Sequence, residues 1–99
     1  MQGGMNITLS LPYDLSENQW KTVDEVFRSM DGWLGYKADD NTPQWYGTNS
    51  NTRFVWASVE ASGLLIEGNL DPEHWTGWIS VLSARLSLRL GFEVCDSEM

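Results

Sequence analysis

Cysteine and histidine occur only once each in the 99 residues, as Cys95 and His74. A single cysteine excludes a disulfide within the chain and any zinc site that requires a pair of cysteines. A lone histidine also lacks the base and the orienting group that accompany it in catalytic sites. We therefore expect no metal, no cofactor and no catalytic residue, and interpret the chain as a non-enzymatic protein.

Motifs for nucleotide, phosphate or calcium binding are missing as well. The sequence has no Gly-rich phosphate loop, no EF-hand loop and no serine nucleophile elbow. It also lacks an apolar run of about 18 residues and a basic segment followed by an apolar one. These absences predict a cytoplasmic protein that does not bind membranes.

Basic residues are scarce, with six lysines and arginines against 14 acidic residues and a net charge of −8. Binding to nucleic acid requires cations that contact phosphates, so we expect no nucleic-acid partner. An acidic surface instead favours a basic protein partner and accelerates the encounter with it. The alternative is that the negative charge only keeps the protein soluble.

Two helix beginnings share one design, in which leucine precedes a capping residue and tryptophan follows that residue by four positions. The two sets are Leu15, Ser16 and Trp20, and Leu70, Asp71 and Trp75. This pattern is a hydrophobic staple around an N-cap. It predicts one helix from Ser16 to the Asp31-Gly32 pair and a second helix over residues 72–90.

The remaining regular segments have the composition and alternation of β-strands. They are a first strand from residue 6, two weak strands at 34–38 and 44–47, a hairpin of 53–59 and 64–69, and a final strand at 92–96. The sequence thus predicts an α+β fold in the order β-α-(β-β)-β-β-α-β. We expect two amphipathic helices on one face of a mainly antiparallel sheet of four or five strands, with a ferredoxin-like split βαβ arrangement as the first guess.

The domain boundaries follow from composition. Residues 6–96 are expected to form a single α+β domain. Residues 1–5 are Gly-rich and predict a flexible N-terminal tail, and residues 97–99 predict a short acidic C-terminal tail.

Aromatic residues and carboxylates crowd the irregular middle of the chain. Aromatic side chains beside acidic ones are typical of surfaces that bind proteins, so this patch is the predicted contact with a basic partner. The same rings could stack on a flat small molecule, or they could fold over the core as lids. The patch consists of Trp33, Tyr36, Asp39, Asp40, Trp45 and Tyr46.

The second predicted helix has one flank of small hydroxyl residues where long charged residues are usual. Small residues allow another backbone to approach closely, either helix one of the same chain or a second copy in a homodimer. The flank consists of Thr76, Ser80, Ser83 and Ser87.

The leading functional hypothesis is therefore a small acidic protein-binding module that inhibits or neutralises a basic partner. An immunity-type protein against a nuclease-like toxin is one example, because an acidic surface mimics what such enzymes recognise. The alternatives are a small-molecule binding domain that uses the aromatic cluster, and a structural homo-oligomer.

Overall fold

The computed structural model describes residues 5–38, 41–47 and 53–97, and within them five strands and two helices. In chain order the elements are β1 (Met5–Leu9), α1 (Glu17–Ser29), β2 (Trp33–Tyr36), β3 (Pro43–Trp45), β4 (Val55–Glu60), β5 (Gly63–Gly68) and α2 (Pro72–Leu90). All pairings between these strands are antiparallel. The predicted α+β class and antiparallel sheet are confirmed.

The strand order is β1-β5-β4-β3-β2, which differs from the ferredoxin-like guess. A split βαβ unit inserts one strand between the two strands that a helix connects. Here α1 connects β1 to β2, and these strands lie at opposite edges of the sheet with three strands between them. The segment after α1 contributes β2 and β3, which lie at the end of the sheet away from β1 and so separate the two strands that α1 connects.

The predicted final strand at residues 92–96 forms only one bridge, between Leu9 and Asp96. The Ser87 hydroxyl accepts from the Val94 N–H at 2.8 Å and donates to the Val94 carbonyl at 3.2 Å, so α2 and not a strand satisfies both backbone polar groups of Val94. The segment still lies along β1, since the Ser97 N–H bonds the Thr8 carbonyl at 2.8 Å.

Both ends of the predicted domain shift slightly in the structure. Met5, assigned to the flexible tail, is the first residue of β1 and pairs with Gly68. Ser97, assigned to the acidic tail, is held against β1 by its backbone. The rest of the two predicted tails, residues 1–4 and 98–99, lies outside the described residues.

The helices begin as the capping residues predict. Ser16 and Gln19 form a complete capping box at the start of α1, and the Asp71 carboxylate accepts from the His74 N–H at the start of α2. Gly91 ends α2 in the left-handed conformation, with φ of +83°. Among the described residues, no helix has the length and apolarity that crossing a bilayer requires.

One face of the sheet supplies the core. Four inward side chains of β4 and β5 are fully buried, while the alternate positions Trp56, Leu65 and Glu67 are only partly buried. The buried side chains of both helices belong to the same hydrophobic cluster as the inward face. The inward residues are Val55, Ala57, Leu64 and Ile66.

Candidate functional site

Trp45, predicted as a partner contact, is a core residue with 0% of its surface exposed. Its indole N–H donates to the Phe27 carbonyl at 3.0 Å, and its ring packs edge-on against Phe27 and Trp78. Trp45 therefore contacts both helices and cannot face a partner. The short strand β3 turns both of its terminal residues, Pro43 and Trp45, inward.

Trp33 and Tyr36 lie on the edge strand β2 and are half-buried. The Arg28 guanidinium of α1 lies 5.7 Å from the Trp33 ring centre and 5.9 Å from that of Tyr36, within cation–π range. Arg28 also bonds Asp24 at 2.8 Å, and the Tyr36 hydroxyl donates to the same carboxylate. These four residues, named here the Asp24 cluster, attach the aromatic edge to α1.

The electrostatics of the Asp24 cluster keep its carboxylate ionised. Partial burial tends to raise the pKa of Asp24, but the hydrogen bonds from Tyr36 and Arg28 outweigh it and lower the pKa below its usual value. Burial and the adjacent Asp24 charge both raise the pKa of Tyr36. At neutral pH the cluster therefore pairs a charged carboxylate with a neutral phenol that donates to it.

Asp24 and Tyr36 form part of the wall of a groove of about 580 Å³ between α1 and the sheet, named here the α1 groove. Asp24 is its one carboxylate, and no lysine or arginine lines it within the part of the chain that the structure describes. The groove is lined by Trp20, Val23, Asp24, Phe27, Tyr36, Asn41, Thr42, Pro43, Ala57, Ser58, Val59 and Leu64.

The predicted partner carboxylates Asp39 and Asp40 lie outside the described residues. In the sequence they directly precede Asn41 and Thr42, which line the α1 groove. Tyr36, the third member of the predicted patch in this region, lines the groove as well. The sequence prediction and the groove thus share one stretch of the chain.

Tyr46 belongs to a different cluster from Tyr36. Its backbone is left-handed, with φ of +72°, an uncommon conformation for a bulky residue. Its hydroxyl donates to Asp31 at 2.7 Å and lies 2.9 Å from His74 Nε2. Because the hydroxyl has one proton, donating it to Asp31 leaves it as the acceptor for a His74 Nε2–H. The two tyrosines of the predicted patch therefore lie in different clusters, Tyr36 at Asp24 and Tyr46 at Asp31.

Gly32 makes the position of Tyr46 possible. A Cβ on Gly32 would lie 2.7 Å from the Tyr46 ring, and the Gly32 backbone has φ of +87°. The Tyr46 N–H also bonds the Gly32 carbonyl at 2.8 Å. Burial and the bond to Asp31 raise the pKa of Tyr46, so it stays a neutral phenol.

The sequence interpretation missed Asp31 and His74 as members of one site. His74 lies in the first turn of α2, and Asp31 follows the end of α1. Gly32 beside Asp31 and the cap Asp71 near His74 are signals for the ends of helices. They do not indicate that Asp31 and His74 both contact the Tyr46 hydroxyl. No group of three or more potential metal-ligating side chains occurs in the described ranges.

A second groove of about 410 Å³, named here the α2 groove, lies between the end of α1 and the first half of α2. Its wall on α2 is formed by the exposed Gly77 and Val81, beside the Tyr46–His74 pair. The full lining is Met30, Asp31, Tyr46, Glu73, His74, Gly77, Trp78, Val81 and Arg85.

The hydroxyl flank of α2 does not pack against α1. The helices meet on another side of α2, where Arg85 bonds the Ser29 carbonyl at 2.9 Å and Arg89 pairs with Glu25. On the flank, Thr76 and Ser80 are exposed, Ser83 is half-buried, and Ser87 bonds Val94. The interpretation that small residues serve the helix-one contact is therefore wrong.

Comparison with known proteins gives no further guidance. A scan against protein-family models matches none, and searches of curated proteins and of solved structures return no match either.

Proposed function

We propose that this chain is a non-enzymatic, cytoplasmic protein-binding module that inhibits or neutralises a basic partner, as immunity-type proteins do. The observation that carries the proposal is the α1 groove, whose wall holds the ionised carboxylate of Asp24 next to aromatic rings. A groove of this chemistry accepts a lysine or arginine side chain of the partner.

The groove matches both parts of such a side chain. The apolar walls formed by Trp20, Val23 and Phe27 suit the methylene stem. The cationic head would reach Asp24, and the Tyr36 ring beside it favours a cation. Asp24 already accepts from Tyr36 and Arg28, yet a carboxylate has about four acceptor positions and retains capacity for another donor.

The distribution of charge also supports a basic partner. Three arginines are held by contacts within the fold: Arg28 by Asp24, Arg89 by Glu25, and Arg85 by the Ser29 carbonyl. With 14 acidic residues against six basic ones, the carboxylate excess dominates the field around the protein. Such a field steers a basic protein to the surface before close contacts form.

A direct test measures binding of a fluorescein-labelled oligoarginine peptide by anisotropy at low salt, with oligoglutamate as the negative probe. We expect Asp24→Asn to weaken binding by roughly 10- to 150-fold, since a hydrogen bond to a charged group contributes about 1.5–3 kcal/mol. Glu67→Gln, on the other face of the sheet, makes the same charge change and serves as the matched control.

Tyr36→Phe separates the roles within the Asp24 cluster, because it removes the phenol bond and retains the carboxylate. We expect this variant to bind far better than Asp24→Asn. Equal losses for Asp24→Asn and Glu67→Gln would show that only overall charge matters and would refute the groove. Absence of oligoarginine binding by the unchanged protein would refute the basic-partner proposal.

A second candidate, a small-molecule binding domain, is favoured by the size of the same groove. Its volume of about 580 Å³ lies within the range of roughly 300–1,000 Å³ typical of ligand pockets. Trp20 on the wall would report occupancy by fluorescence. A compound that quenches the unchanged protein but not Trp20→Phe supports this candidate, and a flat response across a metabolite panel opposes it.

A further inference from the structure

The outward face of α2 exposes apolar residues along three turns. Leu88 is 82% exposed and Val81 is 42% exposed, and Gly77 and Ala84 are exposed between and beside them. No charged residue occurs between Glu73 and Arg85. A helix face directed at solvent normally carries long charged residues, so this face is unusual.

These residues are separate from those that α2 contributes to the core. The core side of α2 is formed by Trp78, Ile79, Leu82 and Leu86, all buried. The exposed residues recur at steps of four, three and four, which is the spacing of a coiled-coil seam. α2 therefore has a second apolar stripe, which the monomer leaves uncovered within the described residues.

We propose that a second copy of this chain docks on that face, with the two α2 helices antiparallel about a two-fold axis. Leu88 of one protomer then lies opposite Gly77 of its partner, and Val81 opposite Ala84. Each layer places a larger side chain against a smaller one, as knobs-into-holes packing requires. In a two-fold interface each such contact occurs twice.

The surface at Gly77 has space for the Leu88 side chain of a second copy. A Cβ on Gly77 meets nothing within 4 Å, so the surface there is open. Gly77, Trp78 and Val81 form an apolar part of the lining of the α2 groove of about 410 Å³, against which the incoming leucine would pack. The side chain that fills this site is thus Leu88 of the second copy, which the two-fold axis places opposite Gly77.

Charge along α2 selects the antiparallel arrangement. Asp71 and Glu73 lie at its first residues, whereas Arg85 and Arg89 lie near its end. Antiparallel helices keep the two acidic beginnings of α2 apart and oppose the two helix dipoles. Parallel helices would instead bring the two acidic beginnings, each with Asp71 and Glu73, next to each other, which opposes association. The inference stands independently of the proposed function.

Sedimentation velocity tests the association. We expect the unchanged protein to dimerise reversibly, Leu88→Asp to be monomeric, and Leu34→Asp to remain dimeric. Leu34 is the matched control because it is 52% exposed on β2, away from α2. A monomer at concentrations up to about 1 mM, or a dimer that Leu88→Asp does not dissociate, would overturn the proposal.

Cysteine cross-linking tests the antiparallel arrangement in a Cys95→Ser background. Positions 77 and 88 are about 16 Å apart along one helix, beyond the roughly 7 Å that a disulfide spans, so any bridge between them joins two chains. We expect Gly77→Cys with Leu88→Cys to give a covalent dimer on oxidation, and Leu88→Cys alone to give none. A covalent dimer from Leu88→Cys alone would indicate parallel helices and contradict the proposal.

Discussion

Replacing Gly32 by alanine tests whether the Tyr46 site is held by close packing. A left-handed backbone costs a non-glycine residue about 1–2 kcal/mol. The added Cβ would also lie 2.7 Å from the Tyr46 ring and displace it, with loss of the bond to Asp31, which contributes about 1.5 kcal/mol at the low end for a charged acceptor. We expect Gly32→Ala to lower the free energy of unfolding by roughly 3 kcal/mol in urea denaturation.

Gly91→Ala provides a matched control for Gly32→Ala. Gly91 has nearly the same backbone, with φ of +83°, but a Cβ there meets nothing within 4 Å. Its alanine variant should lose only the backbone contribution, about 1–2 kcal/mol. In a Tyr46→Ala background the two alanine substitutions should have equal effects. Equal losses in the unchanged background would refute the argument that Tyr46 depends on Gly32.

Three further predictions concern the core and the two acidic sites. Trp45→Ala should cost about 3–5 kcal/mol of unfolding free energy, and the half-buried Trp33→Ala clearly less, so the reverse order would contradict the assignment of Trp45 to the core. The lowered pKa of Asp24 predicts a stabilisation that is complete above the unfolded value near pH 4 and is lost as pH falls through the folded pKa. The stability difference between the unchanged protein and Asp24→Asn should therefore shrink on acidification, and a pH-independent difference would exclude this linkage. Asp39→Lys with Asp40→Lys should slow association with a basic probe and weaken its salt dependence in stopped-flow measurements, and unchanged rates would remove these two residues from the contact.

The helix beginnings could be predicted because their signals are local. The Ser16 capping box and the Asp71 cap each involve residues within three positions, so the sequence contains the whole interaction. The hairpin was likewise predicted from two neighbouring strand-like segments, and Gly63 at its turn has φ of +138°. Interactions between residues this close in sequence can be predicted without a structure.

The order of the strands could not be predicted, because it depends on pairings between distant residues. β1 pairs with β5 across some 60 positions of sequence, and residues 92–96 fail as a strand because the Ser87 side chain bonds both polar groups of Val94. Neither fact has a local signature.

The candidate site was predicted in part, for a related reason. The aromatic and acidic composition of the middle segment was visible, but not which rings turn inward. Trp45 and Tyr46 are neighbours, yet one is the centre of the core and the other faces α2. β3 has only three residues, so its alternation of buried and exposed positions is too short to be recognised in the sequence. Alternation would also turn Tyr46 away from the core face that Trp45 occupies, but the left-handed backbone of Tyr46 turns it towards α2.

The backbone of residues 95–97 covers one edge of the sheet, the edge formed by β1. Sheet edges recruit strands from other molecules unless they are short, irregular or covered. β2 is four residues long and has an irregular register, whereas β1 is five residues long and is flanked by the backbone of residues 95–97. Truncation after Gly91 would expose β1 and supply an accessible template at that edge. Residues 92–97, which form a single bridge to the sheet, would thus protect the β1 edge from pairing with strands of other molecules.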